Sequence, residues 1–224
     1  MWTVVGVALV VAALVAAALV KRYQGSSGGS SGSPSSTPAA LGPHSVGYVG
    51  CSNTRDSVTG YHAYSGDKDL FWPSYDTGGG AIEKWADPNS SYWGLFDQQV
   101  ARYGQPSVVW VELCEQTENR LDTYAEVQEL FANLKRHAPN AAYYISAINA
   151  YDPYAGLCAF MGTTGQGESD TENWRDGAVA AGLAKLGPPM GPLTSSNTIS
   201  DGCHPSAAGE RLLGGQLAQF FDTL

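Results

Sequence analysis

Two short segments, far apart in the chain, carry residue types that together can form a nucleophilic site. The segment SDGCHPSAAGERL places Asp201 three residues before His204, and a helix is expected to begin after Pro205. An aspartate beside a histidine orients the imidazole ring and stabilises its cationic form, so the histidine becomes an effective general base. Such a base serves a hydroxyl that is a weak nucleophile unaided. The alternative role for His204 is a structural one, as a cap of the last helix.

Ser52 is the candidate nucleophile. In the segment HSVGYVGCSNT it follows a predicted strand, two residues after Gly50. Glycine permits a sharp turn there, and a serine on a strand-to-helix turn presents its hydroxyl at the sheet edge. An isolated Gly-x-Ser is more often a helix N-cap, and the Asp201–His204 pair is what favours catalysis. The three residues predict that Ser52 attacks, His204 accepts its proton and Asp201 orients His204.

The elements that must position these residues alternate between strands and helices. Apolar, β-branched segments predict strands at residues 44–50, Ser107–Leu113 and Ala141–Ile148. Apolar residues at helical spacing predict helices in four segments: NRLDTYAEVQELFANLKRHAP, SYWGLFDQQVARYG, TENWRDGAVAAGLAKLG and SAAGERLLGGQLAQFF, the last with Ser206 as its N-cap. This alternation predicts an α/β fold with a parallel sheet covered on both faces, where reactive groups gather at the carboxyl ends of the strands.

The order and spacing of Ser52 and Asp201-x-x-His204 resemble the SGNH (GDSL-type) hydrolase family. VGCSNT stands where that family has Gly-Asp-Ser, with Cys51 in place of the aspartate, and DGCHPSAAGERLL is similar to the family's last block throughout. We call the part of the chain from about Leu41 to Leu224 the head. Outside the two blocks, only the spacing of the strands and helices in the head is compatible with this family. The resemblance implies a flavodoxin-like, three-layer α/β/α sandwich around a parallel sheet. It also implies a serine esterase that needs no metal and no organic cofactor.

The resemblance further implies backbone donors for the oxyanion that forms during ester cleavage. The N–H of Ser52 is one, and the glycine run in DTGGGAIEKW offers Gly79 or Gly80 as the second. The alternative for that run is a plain flexible loop.

A third donor is where the sequence departs from the family. The family's Gly-x-Asn-Asp is absent from VVWVELCEQTEN, so Gln116 is the candidate replacement and Asn119 a more distant one. Glu112 and Glu115, as anions, would repel an oxyanion.

The chain has four cysteines, and none forms a Cys-x-x-Cys pair, which favours disulfides in an oxidising compartment. If the first two strands are neighbours, Cys51 pairs with Cys114, which leaves Cys158 for Cys203. Four cysteines allow three connectivities, so this pairing is a hypothesis.

Composition restricts what the head can bind. It carries all 21 acidic residues and ten of the twelve basic ones, a formal charge of −11, which argues against nucleic acid or an anionic membrane surface. Zinc held by the cysteines with His62 or His204 is an alternative, but the paired spacing of zinc ligands is missing. Aromatic residues in YHAYSG, DLFWPSY, SSYWGLF and NAYDPYAG either stack on sugar rings or cover the core. We therefore expect a monomeric head that acts on a small-molecule or glycan ester.

The N-terminal region predicts a membrane anchor. Residues 2–20 carry no charge and are followed by Lys21 and Arg22, so residues 1–22 would span a bilayer as a helix. A cleaved signal peptide is the alternative, although the charged n-region is missing. Residues 23–42 are a Gly/Ser/Pro-rich linker, and 43–224 form the hydrolase-like domain. The two basic residues favour a cytoplasmic head, but the linker and the cysteines favour an extracytoplasmic one.

These features predict a membrane-tethered, extracytoplasmic serine esterase, or a secreted one if the N-terminal segment is cleaved. Two alternatives remain. A non-catalytic binding module on the same fold is favoured by the altered third block and by the acidic end of the second strand, whereas the intact set of Ser52, Asp201 and His204 opposes it. An acyltransferase differs only in whether water or an acceptor hydroxyl receives the acyl group.

Overall fold

A computed structural model describes residues 40–64, 68–115, 122–152 and 166–224. The predicted anchor, residues 1–22, and residues 23–39 of the predicted linker lie outside these ranges. Within them, no helix has both the length and the apolar character needed to cross a membrane.

Four parallel strands form the sheet: β1 (Val46–Val49), β2 (Val108–Glu112), β3 (Ala142–Ser146) and β4 (Lys185–Leu186). They lie side by side in the order β1-β2-β3-β4, so each strand neighbours the next one along the chain. Because all four run in the same direction, their carboxyl ends share one edge of the sheet. The predicted parallel α/β sheet is confirmed.

The strands are apolar because both of their faces are covered. Every residue of β1 and β2 is buried, although successive side chains point to opposite faces. A continuous apolar run, rather than an alternating one, is typical of a parallel strand with helices on both sides. Glu112, the last residue of β2, is the one acidic side chain in these two strands.

Helices cover the sheet in two groups. The six in the described ranges are α1 (Ser52–Tyr64), α2 (Ile82–Ala86), α3 (Ser91–Tyr103), α4 (Tyr124–His137), α5 (Gln166–Ala180) and α6 (Ala207–Phe221). α1 packs against α6, whereas α2, α3, α4 and α5 contact one another. Two helix groups and strands buried on both faces give an arrangement of helix, sheet and helix layers.

The contact between α1 and α6 depends on two glycines. A Cβ at Gly60 would lie 1.9 Å from the carbonyl oxygen of Glu210, and one at Gly214 would lie 2.1 Å from the carbonyl carbon of Gly60. The two backbones can approach this closely only because these side chains are missing. Since α1 begins at Ser52 and α6 follows His204 by three residues, this packing brings the two predicted catalytic segments to the same place.

Three local predictions differ from the structure. β4 lies in a segment that was predicted to be helical. α5 ends at Ala180 because the chain turns at Gly182, which adopts a φ of +68°. The N–H of Leu183 then donates to the carbonyl of Ala178, as is common where a glycine terminates a helix. α5 also begins at Gln166, earlier than predicted. Ser206 occupies the N-cap of α6, but its side chain makes no capping hydrogen bond.

Candidate active site

The structure brings Ser52, His204 and Asp201 into one hydrogen-bonded chain. Ser52 Oγ lies 2.8 Å from His204 Nε2, and His204 Nδ1 lies 2.7 Å from Asp201 Oδ2. Because a carboxylate only accepts, the Nδ1 atom carries the proton and Nε2 is free to accept from the serine hydroxyl. Ser52 is buried, whereas the side chains of His204 and Asp201 are about one-third and two-fifths exposed. The arrangement has the geometry of a nucleophile, a base and an orienting acid.

A tight turn positions Asp201, the last member of the hydrogen-bonded series. Asp201 Oδ1 accepts hydrogen bonds from the backbone N–H groups of Cys203, at 2.9 Å, and His204, at 3.0 Å. Gly202 adopts a φ of +67°, which lets the chain reverse there. Partial burial opposes ionisation of Asp201, but the bonds from Cys203 and His204 outweigh it and lower the pKa of this carboxyl below its ordinary value. Asp201 is therefore the anion that an imidazolium needs beside it.

Ser52 is the first residue of α1, and the preceding turn is held by Thr54. Thr54 Oγ1 accepts from the backbone N–H of Cys51 at 2.9 Å and donates to Glu112 Oε2 at 2.7 Å. A Cβ at Gly50 would lie 2.0 Å from the same hydroxyl oxygen. Gly50 thus leaves the space in which Thr54 joins the start of α1 to the end of β2.

Two glutamates at the end of β2 have raised pKa values. Burial raises the pKa of Glu112 to about 8, against the opposing effect of the hydrogen bond from Thr54. Burial also raises the pKa of Glu115 to about 7, helped by the nearby carboxylates of Asp170 and Asp122. From the sequence, both glutamates are expected to be anions that would repel an oxyanion. At neutral pH this is wrong for Glu112, which is mostly protonated, and only partly true for Glu115.

A disulfide joins Cys51 to Cys114 at the carboxyl ends of β1 and β2. The strand register explains it, because Val49 pairs with Val111 and the two chains leave the sheet side by side. Cys203, beside His204, is also disulfide-bonded. Cys158, its predicted partner, lies outside the described residues.

The alternative of a zinc site does not fit these bonds, because disulfide sulfurs are not thiolate ligands. His62 instead contacts Asp69, at 2.8 Å from Nδ1, and the carbonyl of Trp72, at 3.0 Å from Nε2. In the part of the chain that the structure describes, no three His, Cys, Asp or Glu side chains form a metal-binding group.

The glycine run lies against the nucleophile turn. Thr77 Oγ1 donates to the carbonyl of Cys51 at 2.7 Å, and Trp85 Nε1 donates to the carbonyls of Gly50, at 3.0 Å, and Gly80, at 3.1 Å. The N–H of Gly80 donates to the carbonyl of Thr77 at 2.9 Å. Gly80 therefore has no free N–H for an oxyanion, which removes one of the two predicted glycines.

Gly79 remains as the glycine donor. Its N–H has no acceptor among the described residues. The hydroxyl of Tyr92 donates to the carbonyl of Gly78, which belongs to the same peptide group as that N–H and so fixes its direction. Gln116 and Asn119, the predicted third donors, lie outside the described residues.

Most of the aromatic residues considered for sugar stacking belong to the core. Tyr61, Phe71, Trp72, Trp93 and Phe96 are all buried and pack around β1 and the adjoining helices. They are therefore unavailable to a ligand, which decides the question for these rings in favour of core packing.

Sequence reasoning missed the residue that links the two catalytic segments. Tyr151, which follows β3, accepts a hydrogen bond from Asn53 Nδ2 at 3.1 Å and donates one to the carbonyl of Cys203 at 2.6 Å. The available signal was its position just after the third predicted strand, at the sheet edge where functional side chains gather.

No protein-family model and no curated protein matches this sequence. Among solved structures, a protein of Slackia heliotrinireducens that is assigned to the SGNH hydrolases superposes with a TM-score of 0.51 at 17% identity. The match covers 78% of this chain and 96% of that protein. The chain has the fold of an SGNH hydrolase.

Two carbohydrate esterase family 2 enzymes superpose less closely on this SGNH fold. One, from Corynascus thermopiles (Myceliophthora fergusii), was solved with a carbohydrate-binding domain; its TM-score is 0.48 at 15% identity, covering 81% of this chain and 67% of that one. The other, from Clostridium thermocellum, was solved with cellohexaose; its TM-score is 0.46 at 15% identity, covering 81% and 64%.

Proposed function

We propose that this protein is a serine esterase that hydrolyses carboxylic esters, with Ser52 as nucleophile, His204 as general base and Asp201 as the acid that orients His204. The observation that carries the proposal is the unbroken chain of short hydrogen bonds from Ser52 Oγ through the imidazole to Asp201. The three residues come from two segments about 150 residues apart, on a fold that SGNH hydrolases share.

In the first half of the reaction Ser52 Oγ attacks the ester carbonyl carbon while its proton passes to His204 Nε2. The negative charge that develops on the carbonyl oxygen is stabilised by the N–H groups of Ser52 and Gly79, each worth a few kcal/mol in such a site. The carbon–oxygen bond to the alcohol then breaks, and the leaving oxygen takes the proton from His204. An acyl group remains on Ser52.

In the second half water attacks the acyl carbon and gives its proton to the same Nε2 atom. The carboxylic acid is released and Ser52 Oγ recovers its proton, so the enzyme is regenerated without any cofactor. Asp201 stays ionised throughout and stabilises the imidazolium that forms twice in each cycle.

Two observations favour an esterase over the alternatives. A binding module was favoured by two acidic side chains near the site, but the raised pKa of Glu112 removes one of these charges at neutral pH. An acyltransferase must keep water from the acyl intermediate, whereas the side chain of His204 is one-third exposed to solvent. The exposed base supports water as the acceptor.

The charge of the head limits the class of substrate. The formal charge of −11 on the head supports a neutral small-molecule, lipid or glycan ester and argues against nucleic acid. A single copy of the chain contains Ser52, His204 and Asp201, which supports a monomeric head.

The proposed location is outside the cytoplasm, tethered through residues 1–22 and the linker at 23–42, or secreted if the first segment is removed. The apolar run at 2–20 supports the tether. The disulfide between Cys51 and Cys114 supports an oxidising compartment. Protease accessibility of a C-terminal tag on intact cells tests this, since protection would place the head inside.

The deciding experiment is hydrolysis of p-nitrophenyl acetate by the purified, oxidised full chain. Ser52→Ala is expected to lower kcat by at least about 10³-fold, the usual order for loss of a nucleophile. Ser57→Ala is the matched control, because Ser57 is buried on the same helix and donates only to the carbonyl of Asn53. Absence of hydrolysis by the folded wild type, or equal rates for wild type and Ser52→Ala, would contradict the proposal.

A further inference from the structure

We propose that Tyr151 is a positioning residue that holds the nucleophile segment and the base segment at their working distance. The inference rests on the proposed function, because it concerns the geometry of the same site. It assigns a role to a side chain that binds the chain neighbours of Ser52 and His204.

The hydroxyl of Tyr151 lies between those two segments. It accepts a hydrogen bond from Asn53 Nδ2 at 3.1 Å and donates one to the carbonyl oxygen of Cys203 at 2.6 Å. Asn53 directly follows Ser52, and Cys203 directly precedes His204. One oxygen atom therefore connects the neighbours of both residues that must meet.

On the base side, Tyr151 helps to immobilise a single peptide group. The carbonyl of Cys203 accepts from Tyr151, and the N–H of the same peptide, which belongs to His204, donates to Asp201 Oδ1 at 3.0 Å. A peptide group held at both its oxygen and its nitrogen cannot rotate without losing a hydrogen bond. This fixes the backbone from which the imidazole extends.

On the nucleophile side, Tyr151 holds the Asn53 side chain. Asn53 is 1% exposed, and its Oδ1 atom has no hydrogen-bond partner in the described part of the chain. Tyr151 is thus the partner that the described residues offer to this amide. Since Asn53 lies in the first turn of α1, the bond ties the turn that carries Ser52 to the segment after β3.

The backbone on both sides of Tyr151 is held by hydrogen bonds, and the Tyr151 hydroxyl keeps its proton. Both neighbours of Tyr151 in the chain are paired with Leu193. The N–H of Leu193 donates to the carbonyl of Ala150 at 2.7 Å, and the N–H of Asp152 donates to the carbonyl of Leu193 at 2.8 Å. Burial holds the pKa of the Tyr151 hydroxyl well above its ordinary value, so the group stays neutral and able to donate. A rigid donor and acceptor suits a site in which displacements of about 1 Å can cost about 10²-fold in rate.

Tyr143 provides the matched control. It is another buried tyrosine, and its hydroxyl donates to the carbonyl of Ala138 at 2.7 Å. It lies in β3, and Ala138 ends the helix that precedes this strand, so the bond is at the opposite end of β3 from the site. Tyr143→Phe and Tyr151→Phe each remove a buried hydroxyl bonded to a carbonyl, and only the second touches the catalytic segments.

The kinetic test uses the full, oxidised chain and p-nitrophenyl acetate, with each rate normalised to the folded fraction. Tyr151→Phe is expected to lower kcat by about 10- to 100-fold with KM within about twofold of wild type, because positioning affects the reacting geometry more than binding. Tyr143→Phe is expected to keep kcat within about twofold. Equal kcat values for the two variants would overturn the proposal.

A spectroscopic test separates this inference from the proposed function, because it needs no activity. The chain has four histidines, so the imidazole NMR signals can be assigned by substitution. Tyr151→Phe is expected to shift the ring signals of His204, including its Nδ1 proton, and leave those of His44, His62 and His137 in place; Tyr143→Phe is expected to leave His204 unchanged. Unchanged His204 signals in Tyr151→Phe would overturn the positioning role even in an active protein. Shifted signals in a protein without esterase activity would support it while the esterase proposal fails.

Discussion

The turn at Asp201 and the end of β2 show the same chemical group in opposite states. The Asp201 carboxylate is partly exposed, and both of its oxygens accept hydrogen bonds. The Glu112 carboxyl is 1% exposed, and only one of its oxygens has a partner within the described ranges. The pKa of Asp201 is lowered and that of Glu112 is raised. The comparison teaches that solvent and hydrogen bonds, rather than residue type, decide where this site carries negative charge.

The difference also suits the proposed chemistry. A fixed anion beside His204 stabilises the imidazolium, whereas a second anion beneath the nucleophile turn would oppose the developing oxyanion. By keeping Glu112 mostly neutral at pH 7, burial removes one negative charge near the nucleophile turn, whereas Asp201 keeps its charge beside the imidazole. Two acids with pKa values pushed apart are a pattern found in many active sites.

Of the changes to Asp201 and Glu112, replacing the charged Asp201 by its neutral isostere is expected to have the largest effect on kcat. Asp201→Asn keeps the size of the side chain but removes the anion and the preferred tautomer of His204, so kcat should fall by about 10³- to 10⁴-fold. Esterase assays on this variant beside Glu112→Gln, which we expect to stay within about tenfold of wild type, measure the contrast directly. Similar losses of kcat in both variants would mean that the two carboxyl groups do not differ in their importance for catalysis.

The next effect concerns stability and pH at Glu112. Its folded-state pKa of about 8 exceeds its ordinary value of 4.5, so the folded state retains the proton and is most favoured below about pH 4.5. As pH rises towards 8 this group costs stability, on the order of 3 kcal/mol by pH 7. Glu112→Gln should remove that part of the pH dependence.

Urea unfolding at pH 5, 7 and 9 measures this effect. The free energy of unfolding of wild type should fall more steeply with pH than that of Glu112→Gln, and the difference between the two proteins should grow towards pH 9. Parallel curves across this range would mean that Glu112 ionises normally in the folded state.

The smallest expected effect tests the link between the two regions. Thr54→Val removes the hydroxyl that accepts from Cys51 N–H and donates to Glu112, so we expect a loss of about 1–3 kcal/mol in the free energy of unfolding. Thr59→Val is the control, since Thr59 lies on the same helix and is half-buried; its hydroxyl contacts the carbonyl of Arg55 at 3.0 Å and the exposed hydroxyl of Ser74 at 2.8 Å. Denaturant titration of both variants should show the larger loss at Thr54. Equal losses would mean that the buried Thr54–Glu112 bond stabilises the protein no more than the hydrogen bonds of a half-buried threonine.

Local patterns in the sequence were enough to predict β1–β3, α3–α6 and the candidate chemistry. The alternation of apolar strands with helices predicted a parallel sheet, and the spacing of Asp201 and His204 predicted that Asp201 orients the imidazole of His204. These features depend on residues only a few positions apart, so the local geometry of the backbone determines them without contacts from distant parts of the chain. β4 was not predicted, because a strand of two residues is too short to show the alternation of apolar and polar residues.

Tertiary structure alone decided which groups are charged, which are free to donate and which hold the site together. The sequence offered Gly79 and Gly80 equally, and only folding committed the N–H of Gly80 to Thr77. Glu112 reads as an anion in a sequence, yet burial under α1 raises its pKa, because ionisation depends on solvent access. Tyr151 joins segments 98 and 52 residues away, and no local pattern can reveal such a bond. The sequence by itself determined which residues could react, and packing at the edge of the sheet decided their charge and their distances.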